Sequence, residues 1–187
     1  MLLERNDINP NVTNGGGGTL LFWAVRNKHE GIVGMLLERN DVNPNIANAY
    51  GQTPLSCAAE NGHEEVVRML LERNDVNPDT AGEYGRTPLS RAAQHGHEEI
   101  VRILLERNDV NSNATDSCGR TPLLWAVKHG HEGVVWVLLE RNDVNPNIAD
   151  KDGVTPLLGA AGHGHEGVVR ILLERNDVNP NISDRGG

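Results

Sequence analysis

The sequence repeats itself with a period of 34 residues. The run LLERND begins at Leu2 and returns at residues 36, 70, 104, 138 and 172. A glycine recurs at the same interval, and fifteen of the 34 positions are identical in every full unit. A period of this length predicts a solenoid, in which each unit buries its apolar face on its neighbours. Division at the glycines gives a partial unit and then five full units, at residues 1–16, 17–50, 51–84, 85–118, 119–152 and 153–187.

Each unit has the sequence pattern of two short helices. In unit 51–84, Thr53 and Pro54 are the residue types preferred at the N-cap and at the first position of a helix. The apolar residues that follow share one helical face, and this pattern ends at Gly62. A second apolar stripe ends near Arg73, and Asn74 is suited to a left-handed terminal conformation. Helices this short are marginal alone in water, so the sequence predicts an all-α solenoid held together by contacts between units.

The consensus GxTPLxxAAxxGHxxVVxxLLxxxDVN resembles the ankyrin repeat over almost the whole chain. The resemblance implies helix–turn–helix units joined by β-turn-like fingers, and a function in protein binding rather than catalysis. The histidine of the family's TPLH motif is absent, and its positions hold Ser56, Ser90, Leu124 and Leu158. The NDVNPN run and the near-identity of the units are similar to the arrays of fungal multidomain proteins of the NACHT type.

Positions that differ between units are candidates for contact with a partner, because packing explains the invariant ones. They are the two residues before each conserved glycine, the residue after it, and the seventh, tenth and eleventh residues of a unit. In ankyrin-like geometry the fingers and the first helices line a concave groove, which implies that these side chains project into it together. The candidate partner-binding residues are Tyr50, Gln52, Glu60, Tyr84, Arg86, Arg91, Gln94, His95, Arg120, Trp125, Lys128, His129, Lys151 and His163.

The variable positions of the units have a different charge balance from the chain as a whole. In the four units from 51–84 to 153–187 they carry five basic and three acidic residues, whereas the chain has a net charge of −9. Arg, Trp and Tyr are also the usual anchors of protein interfaces. The sequence therefore predicts a groove that receives a protein segment of acidic or mixed charge. Two alternatives stay open: neutral variation at exposed positions, and a structural spacer or scaffold without a dedicated ligand.

Composition argues against several other classes of partner. A net charge of −9 and an aromatic content of 3% disfavour nucleic-acid and membrane binding. Cys57 and Cys118, 61 residues apart, do not make a disulfide framework. The sequence has neither an apolar run of membrane-spanning length nor a secretory signal pattern, so we expect a cytoplasmic or nuclear protein.

All eight histidines fall at two repeat positions. Five occupy the turn between the two helices, where a structural role is expected, and three precede them by two residues to give HGH runs. Zinc needs about four converging ligands, whereas stacked helices lie about 8–10 Å apart, so no metal site is expected. The DVNPN run resembles the start of a calcium loop but lacks its glycine and glutamate, and a turn that caps the second helix explains it better. No nucleophile–base set stands out from the repeat consensus, so the sequence predicts neither an enzyme nor a bound cofactor.

Two further expectations concern the surface and the ends of the array. The Glu38-Arg39 pair and its copies predict charged rows on a solvated face. Unit 153–187 keeps the apolar second-helix residues of an internal unit, and the chain begins within a repeat. We therefore expect a piece of a longer array or multidomain protein, whose uncapped ends could self-associate.

Overall fold

The computed structural model describes residues 9–181, which form five helix pairs. The first helices of the pairs are α1 (Leu20–Arg26), α3 (Pro54–Asn61), α5 (Pro88–His95), α7 (Pro122–Lys128) and α9 (Pro156–His163). The second helices are α2 (Glu30–Leu37), α4 (Glu64–Leu71), α6 (Glu98–Leu105), α8 (Glu132–Leu139) and α10 (Glu166–Leu173). Between residues 9 and 181 there is no β-strand, and a 3-10 turn at Glu83–Gly85 is the one other helical segment. The expectations for residues 1–8 and 182–187 lie outside the described range.

A threonine caps the start of each first helix, and a left-handed glycine caps the end of α3, α5 and α9. The Thr53 hydroxyl accepts the backbone N–H of Ser56, and Pro54 follows it in the first turn. Gly62 ends α3 with a φ of +73°. The start and stop predicted for this helix are therefore confirmed. The prediction for Asn74 is wrong, because this residue is not left-handed and α4 already ends at Leu71 in a right-handed cap.

The helices pack in two layers that run along the array. Each first helix contacts the first helix of the next unit, each second helix contacts the next second helix, and the two helices of a unit contact each other. Their buried faces form one continuous apolar core, with Leu55, Leu89 and Leu123 at equivalent places in successive units. The predicted all-α solenoid is confirmed. Within the described part of the chain, no helix combines the length and the apolar character needed to cross a bilayer.

The histidines of the helix–helix turns join neighbouring units. The His97 Nε2 lies 3.0 Å from the carbonyl oxygen of Glu60 near the end of α3, and His131 makes the same contact with Gln94. These contacts satisfy carbonyl groups that the end of a helix leaves without an intrahelical partner. A Cβ on Gly62 would lie 2.8 Å from the His97 ring, so glycine also makes room for the next unit's histidine. The structural role predicted for the turn histidines is confirmed for His63, His97, His131 and His165.

The arginine of the LLERND run also binds the preceding unit. Arg73 holds both carboxylate oxygens of Asp75, at 2.8 and 2.6 Å, and its Nη1 donates to the carbonyl oxygens of Leu37 and Arg39. It therefore caps the C-terminal end of α2, one unit away, and lowers the pKa of Asp75 by hydrogen bonding. The prediction of a solvated charged row is wrong for the arginines, whose side chains are mostly covered, and holds for the exposed glutamates.

A row of side-chain amides, which we call the asparagine ladder, connects the turns after the second helices. The Asn45 Nδ2 donates to the carbonyl oxygen of Asp75, and its Oδ1 accepts the backbone N–H of Asn77. Asn113 makes the same two bonds to Asp143 and Asn145. The sequence analysis predicted that the DVNPN run only caps its own helix. In the structure this run also links successive units.

Candidate partner-binding surface

Asn or Asp side chains close four of the five finger turns, and Gly82 stands at the equivalent position of the other. The Asp116 Oδ1 accepts the backbone N–H groups of Cys118 and Arg120, and Asn48 binds its own finger in the same way. One backbone hydrogen bond joins each finger to the next, as from Ser117 N–H to the Tyr84 carbonyl oxygen. The fingers are residues 14–18, 48–52, 82–86, 116–120 and 150–154. We call the surface that they form with the adjacent side of the first helices the finger face.

Three of the candidate residues form a polar cluster on the finger face. The Gln52 Nε2 donates to the Glu60 Oε2 at 2.6 Å, and the Arg91 Nη1 lies 3.3 Å from the same oxygen. Only 8% of Arg91 is exposed, and its Nε is buried without a hydrogen-bond partner. Arg91 therefore pairs with Glu60 of α3, the first helix of the preceding unit, and is not exposed for contact with a partner.

Four other candidates, Trp125, Arg86, Arg120 and Lys128, form what we call the Trp125 cluster. The centres of the Arg86 and Arg120 guanidinium groups lie 4.3 and 5.1 Å from the centre of the indole ring. The Lys128 Nζ lies 5.3 Å from it. Cations at these distances are attracted by the ring face. One indole thus gathers three positive charges from two fingers and one helix.

Two carboxylates beneath this cluster were missed by the sequence reasoning. The Asp116 Oδ2 accepts the Trp125 Nε1–H at 3.1 Å and lies 3.9 Å from the Arg86 Nε. The Asp150 Oδ2 lies 3.6 Å from the Arg120 Nε. These two acids cancel the excess of two positive charges that the variable positions alone would give. The charges are layered, however, because 21% and 24% of the two arginine side chains is exposed against 1% and 8% of the two aspartates.

The prediction that Trp125 projects into a groove is wrong. Only 3% of it is exposed, because its ring packs under the cations and donates to Asp116. Tyr50 and Tyr84, in contrast, stand exposed on their fingers. Tyr84 also has a left-handed backbone with a φ of +61°, and the Arg86 guanidinium lies 5.7 Å from its ring centre. Lys151 is exposed, and its side chain forms no ion pair within residues 9–181.

The remaining candidates, Gln94, His95, His129 and His163, lie at the ends of first helices. Gln94 accepts a hydrogen bond from Arg86 at 3.2 Å. His129 stacks on Trp125, and its Nδ1 lies 3.0 Å from that residue's carbonyl oxygen. Burial lowers the pKa of His95, which stacks beside His97. Within the described range, no three His, Cys, Asp or Glu side chains converge to hold a metal ion.

A cavity of about 260 Å³ opens on the finger face beside Gly159. Leu124, Val127 and Val154 supply its apolar wall, and charged side chains of the neighbouring fingers and of α7 form its rim. The cavity therefore spans units 119–152 and 153–187, next to the Trp125 cluster. Its lining combines these apolar side chains with charged ones, as many small binding sites in proteins do.

Comparison with known proteins identifies the repeats. A sequence model for ankyrin repeats in three copies matches residues 1–80, 21–116, 74–150 and 108–184, and these ranges together span nearly the whole chain. The chain belongs to the ankyrin repeat family. The crystal structure of the ankyrin repeat protein EF0377 is similar, with a TM-score of 0.88 and 26% sequence identity over 94% of this chain and 89% of that one. No curated protein matches this sequence.

The ankyrin array stabilises its first turns without the TPLH histidine. The Ser56 hydroxyl, at that position, donates to the Thr53 carbonyl oxygen at 3.0 Å, while Leu124 and Leu158 leave the position without a polar group. The link between units comes instead from the histidines of the helix–helix turns described above. Ankyrin repeats in general mediate contacts between proteins.

Proposed function

We propose that this ankyrin array binds a protein segment along its finger face, with an acidic side chain of the segment placed at the Trp125 cluster. The observation that carries the proposal is the convergence of Arg86, Arg120 and Lys128 on one indole, with the compensating carboxylates beneath them. An incoming carboxylate would meet the guanidinium and ammonium groups first. Arginine binds carboxylates through paired, charge-assisted hydrogen bonds, which suits this arrangement.

The cluster is ordered before any partner arrives. Arg86 donates to Gln94 and lies over the Trp125 ring, and Arg120 lies over the same ring beside Asp150. Side chains that are already held in place lose less entropy on binding. Tyr84 extends the surface on the neighbouring finger, exposed and close to Arg86. Such a patch of arginine and aromatic side chains has the composition of an interface hot spot.

The wider context is also part of the proposal. The similarity of the repeats to arrays of fungal NACHT-type proteins supports a recognition arm within a larger receptor, in the cytoplasm or nucleus. A GxxxxGK[ST] nucleotide-binding motif in the same reading frame, outside these 187 residues, is the expected finding in the surrounding transcript. A transcript that encodes repeats alone would contradict the receptor context and leave an adaptor or scaffold.

The test of partner binding is a quantitative pull-down from the source cells. The bait is the 187-residue chain, compared with its Arg86→Glu/Arg120→Glu variant. We expect at least one protein to be enriched by the wild type and lost about tenfold or more by the variant, since two favourable charges become repulsive. Lys128→Glu is the second variant, for use if the double variant does not fold, and it should also lower the recovery of the partner.

The matched control reverses two arginines of the second helices. Arg68→Glu/Arg170→Glu makes the same change in net charge, at exposed side chains away from the finger face. This variant should retain the partner. If the finger-face variants, shown to be folded by circular dichroism, retain the partner while the control loses it, the proposed surface is wrong. If no protein is enriched by the wild type, the structural spacer becomes the better interpretation.

A further inference from the structure

The cavity beside Gly159 lies where the preceding unit holds an indole ring. Gly159 is the seventh residue of its unit, and Trp125 is the seventh residue of unit 119–152. The Trp125 ring is buried between its own unit and the preceding one, whereas Gly159 has no side chain and leaves about 260 Å³ open. An apolar cavity of roughly 150 Å³ is enough to hold benzene. The space beside Gly159 therefore admits an aromatic ring.

The groups that hold the Trp125 ring recur around the empty cavity. Asp116 accepts the indole N–H, and the Arg86 guanidinium lies over the ring face. A step of one 34-residue unit leads from these two residues to Asp150 and Arg120, and both line the cavity. The Asp150 Oδ1 is used by backbone N–H groups of its own finger, whereas among residues 9–181 the partner of its Oδ2 is Arg120, at 3.6 Å. That oxygen can accept one more hydrogen bond.

From this repetition we infer that the cavity beside Gly159 binds the indole side chain of a tryptophan in the partner segment. The inference rests on the proposed function and names what the segment places in this cavity. The ring would lie under Arg120, pack on Val127 and Val154, and donate its N–H to the Asp150 Oδ2. A phenyl ring would leave this carboxylate without a donor.

Charged occupants fit the cavity less well than a neutral ring with one donor. An anion would meet the carboxylates of Asp150 and Asp152, which both line the cavity. A cation would meet Arg120 and Lys128, which line it as well. The four charges balance, so the neutral indole is the occupant that they favour.

The test uses 3-methylindole, the side-chain analogue of tryptophan, and the whole 187-residue chain. Methyl NMR spectra should show saturable shifts of Val127, Val154 and Leu124 as the probe is added. The analogue 1,3-dimethylindole has no N–H and should bind about fivefold more weakly, which is the ratio for one net hydrogen bond. Equal binding of the two probes would overturn the bond to Asp150, and tighter binding of p-cresol would assign the cavity to tyrosine instead.

A variant that fills the cavity provides the control. A Cβ on Gly159 would meet only the Cγ1 atoms of Val127 and Val154, both at an ordinary 3.6 Å, so Gly159→Trp should fold. It should abolish the 3-methylindole shifts because its own indole occupies the site. Gly31→Trp, at an exposed position of α2 where a Cβ would meet no described atom within 4 Å, should keep them. Absence of shifts in the wild type, or unchanged shifts in Gly159→Trp, would overturn the inference.

The two proposals fail in different ways. The probe titration needs no partner, so a negative result leaves the pull-down and the Trp125 cluster untouched. If the pull-down finds no partner while the probe binds, the cavity accepts indole but the proposed function is wrong. When a partner is found, Gly159→Trp should lower its recovery and Gly31→Trp should not.

Discussion

At the scale of single residues, Asp79 interrupts the asparagine ladder. Its Oδ2 accepts the backbone N–H of Asn111 at 2.8 Å, as the amide oxygens of the other ladder residues do. Its Oδ1 is buried without a partner, at the place where Asn45 has an amide that donates to the next unit. Burial raises the pKa of Asp79, and the Asp109 carboxylate adds to this effect. The contact between units 51–84 and 85–118 thus lacks one hydrogen bond and contains one poorly solvated charge.

Asp79→Asn should therefore stabilise the protein. The new amide can donate to the Asp109 carbonyl oxygen, and one such bond contributes about 1 kcal/mol to the free energy of unfolding. The raised pKa means that the folded protein holds the proton on Asp79 more tightly than the unfolded chain does. The wild type is therefore penalised at neutral pH and recovers as the pH falls through the pKa of Asp79 in the folded state. The gain from Asp79→Asn, measured by urea unfolding, should shrink at acidic pH.

The converse substitution provides the control at an equivalent site. Asn45→Asp replaces the donor of an intact ladder position with a carboxylate, and it should lower the free energy of unfolding by about 1 kcal/mol at neutral pH. If Asp79→Asn and Asn45→Asp change stability in the same direction, the ladder does not stabilise the contacts between units as described.

At the scale of the helices, the turn between the two helices of a unit combines a left-handed glycine with the next unit's histidine. Gly96 and Gly164 both have a φ of +74°. A Cβ on Gly96 would lie 2.8 Å from the His131 Nδ1, whereas a Cβ on Gly164 would meet no described atom within 4 Å. A side chain at Gly164 therefore costs only backbone strain, whereas a side chain at Gly96 must also displace the His131 ring.

Gly96→Ala should be more destabilising than Gly164→Ala. A left-handed alanine costs about 1 kcal/mol, and Gly164→Ala should show only this loss. Gly96→Ala should lose about 1 kcal/mol more, because the His131 ring must move and weaken its bond to the Gln94 carbonyl oxygen. Urea unfolding measures both. In a His131→Ala background the difference should disappear, and equal losses in the wild-type background would contradict the packing role of His131.

The helices could be predicted from the sequence because their signals are local. Thr53, Pro54 and Gly62 act within a few residues of where they stand, and the repeat shows the same signals in later units. The connections between units are different, because Arg86 meets Asp116 and Asn45 meets Asp75 across 30 residues. That offset is set by how the turns stack, which no single unit encodes. The sequence signal for Asp116 is a pair of oppositely charged residues about 30 positions apart, as Arg86 and Asp116 are.

At the scale of the whole molecule, pH acts on the interfaces between units through the histidines. Burial lowers the pKa of His63, His95 and His131. His63 lies 3.0 Å from the Val25 carbonyl oxygen, and His131 makes the corresponding contact with Gln94. The carbonyl contacts themselves raise the pKa, so it is the loss of surrounding water on burial that favours the neutral rings in the folded protein. Protonation therefore weakens the two interfaces at which His63 and His131 lie.

The sign of this effect follows from proton linkage. Above about pH 6.5 the rings are neutral in both the folded and the unfolded states, and their contribution to stability is complete. As the pH falls, the unfolded chain binds protons first, so the free energy of unfolding decreases until the folded pKa values are passed. The Arg–Asp pairs act at lower pH, because hydrogen bonds from the arginines lower the pKa of residues such as Asp75 and Asp143, the latter to about 2. The histidines therefore dominate between about pH 6.5 and pH 5.

The urea concentration at the midpoint of unfolding should accordingly decrease as the pH is lowered from about 7.5 to about 5.5. The net charge of −9 acts in the opposite direction and would raise the midpoint on acidification, because protonation reduces charge repulsion within an acidic chain. The double variant His63→Gln/His131→Gln separates the two effects, since it removes two titrating rings and leaves the net charge at neutral pH unchanged. Its midpoint should fall less on acidification than that of the wild type. A wild-type midpoint that rises toward pH 5.5 would mean that charge repulsion, and not the histidine contacts, governs the stability of the array.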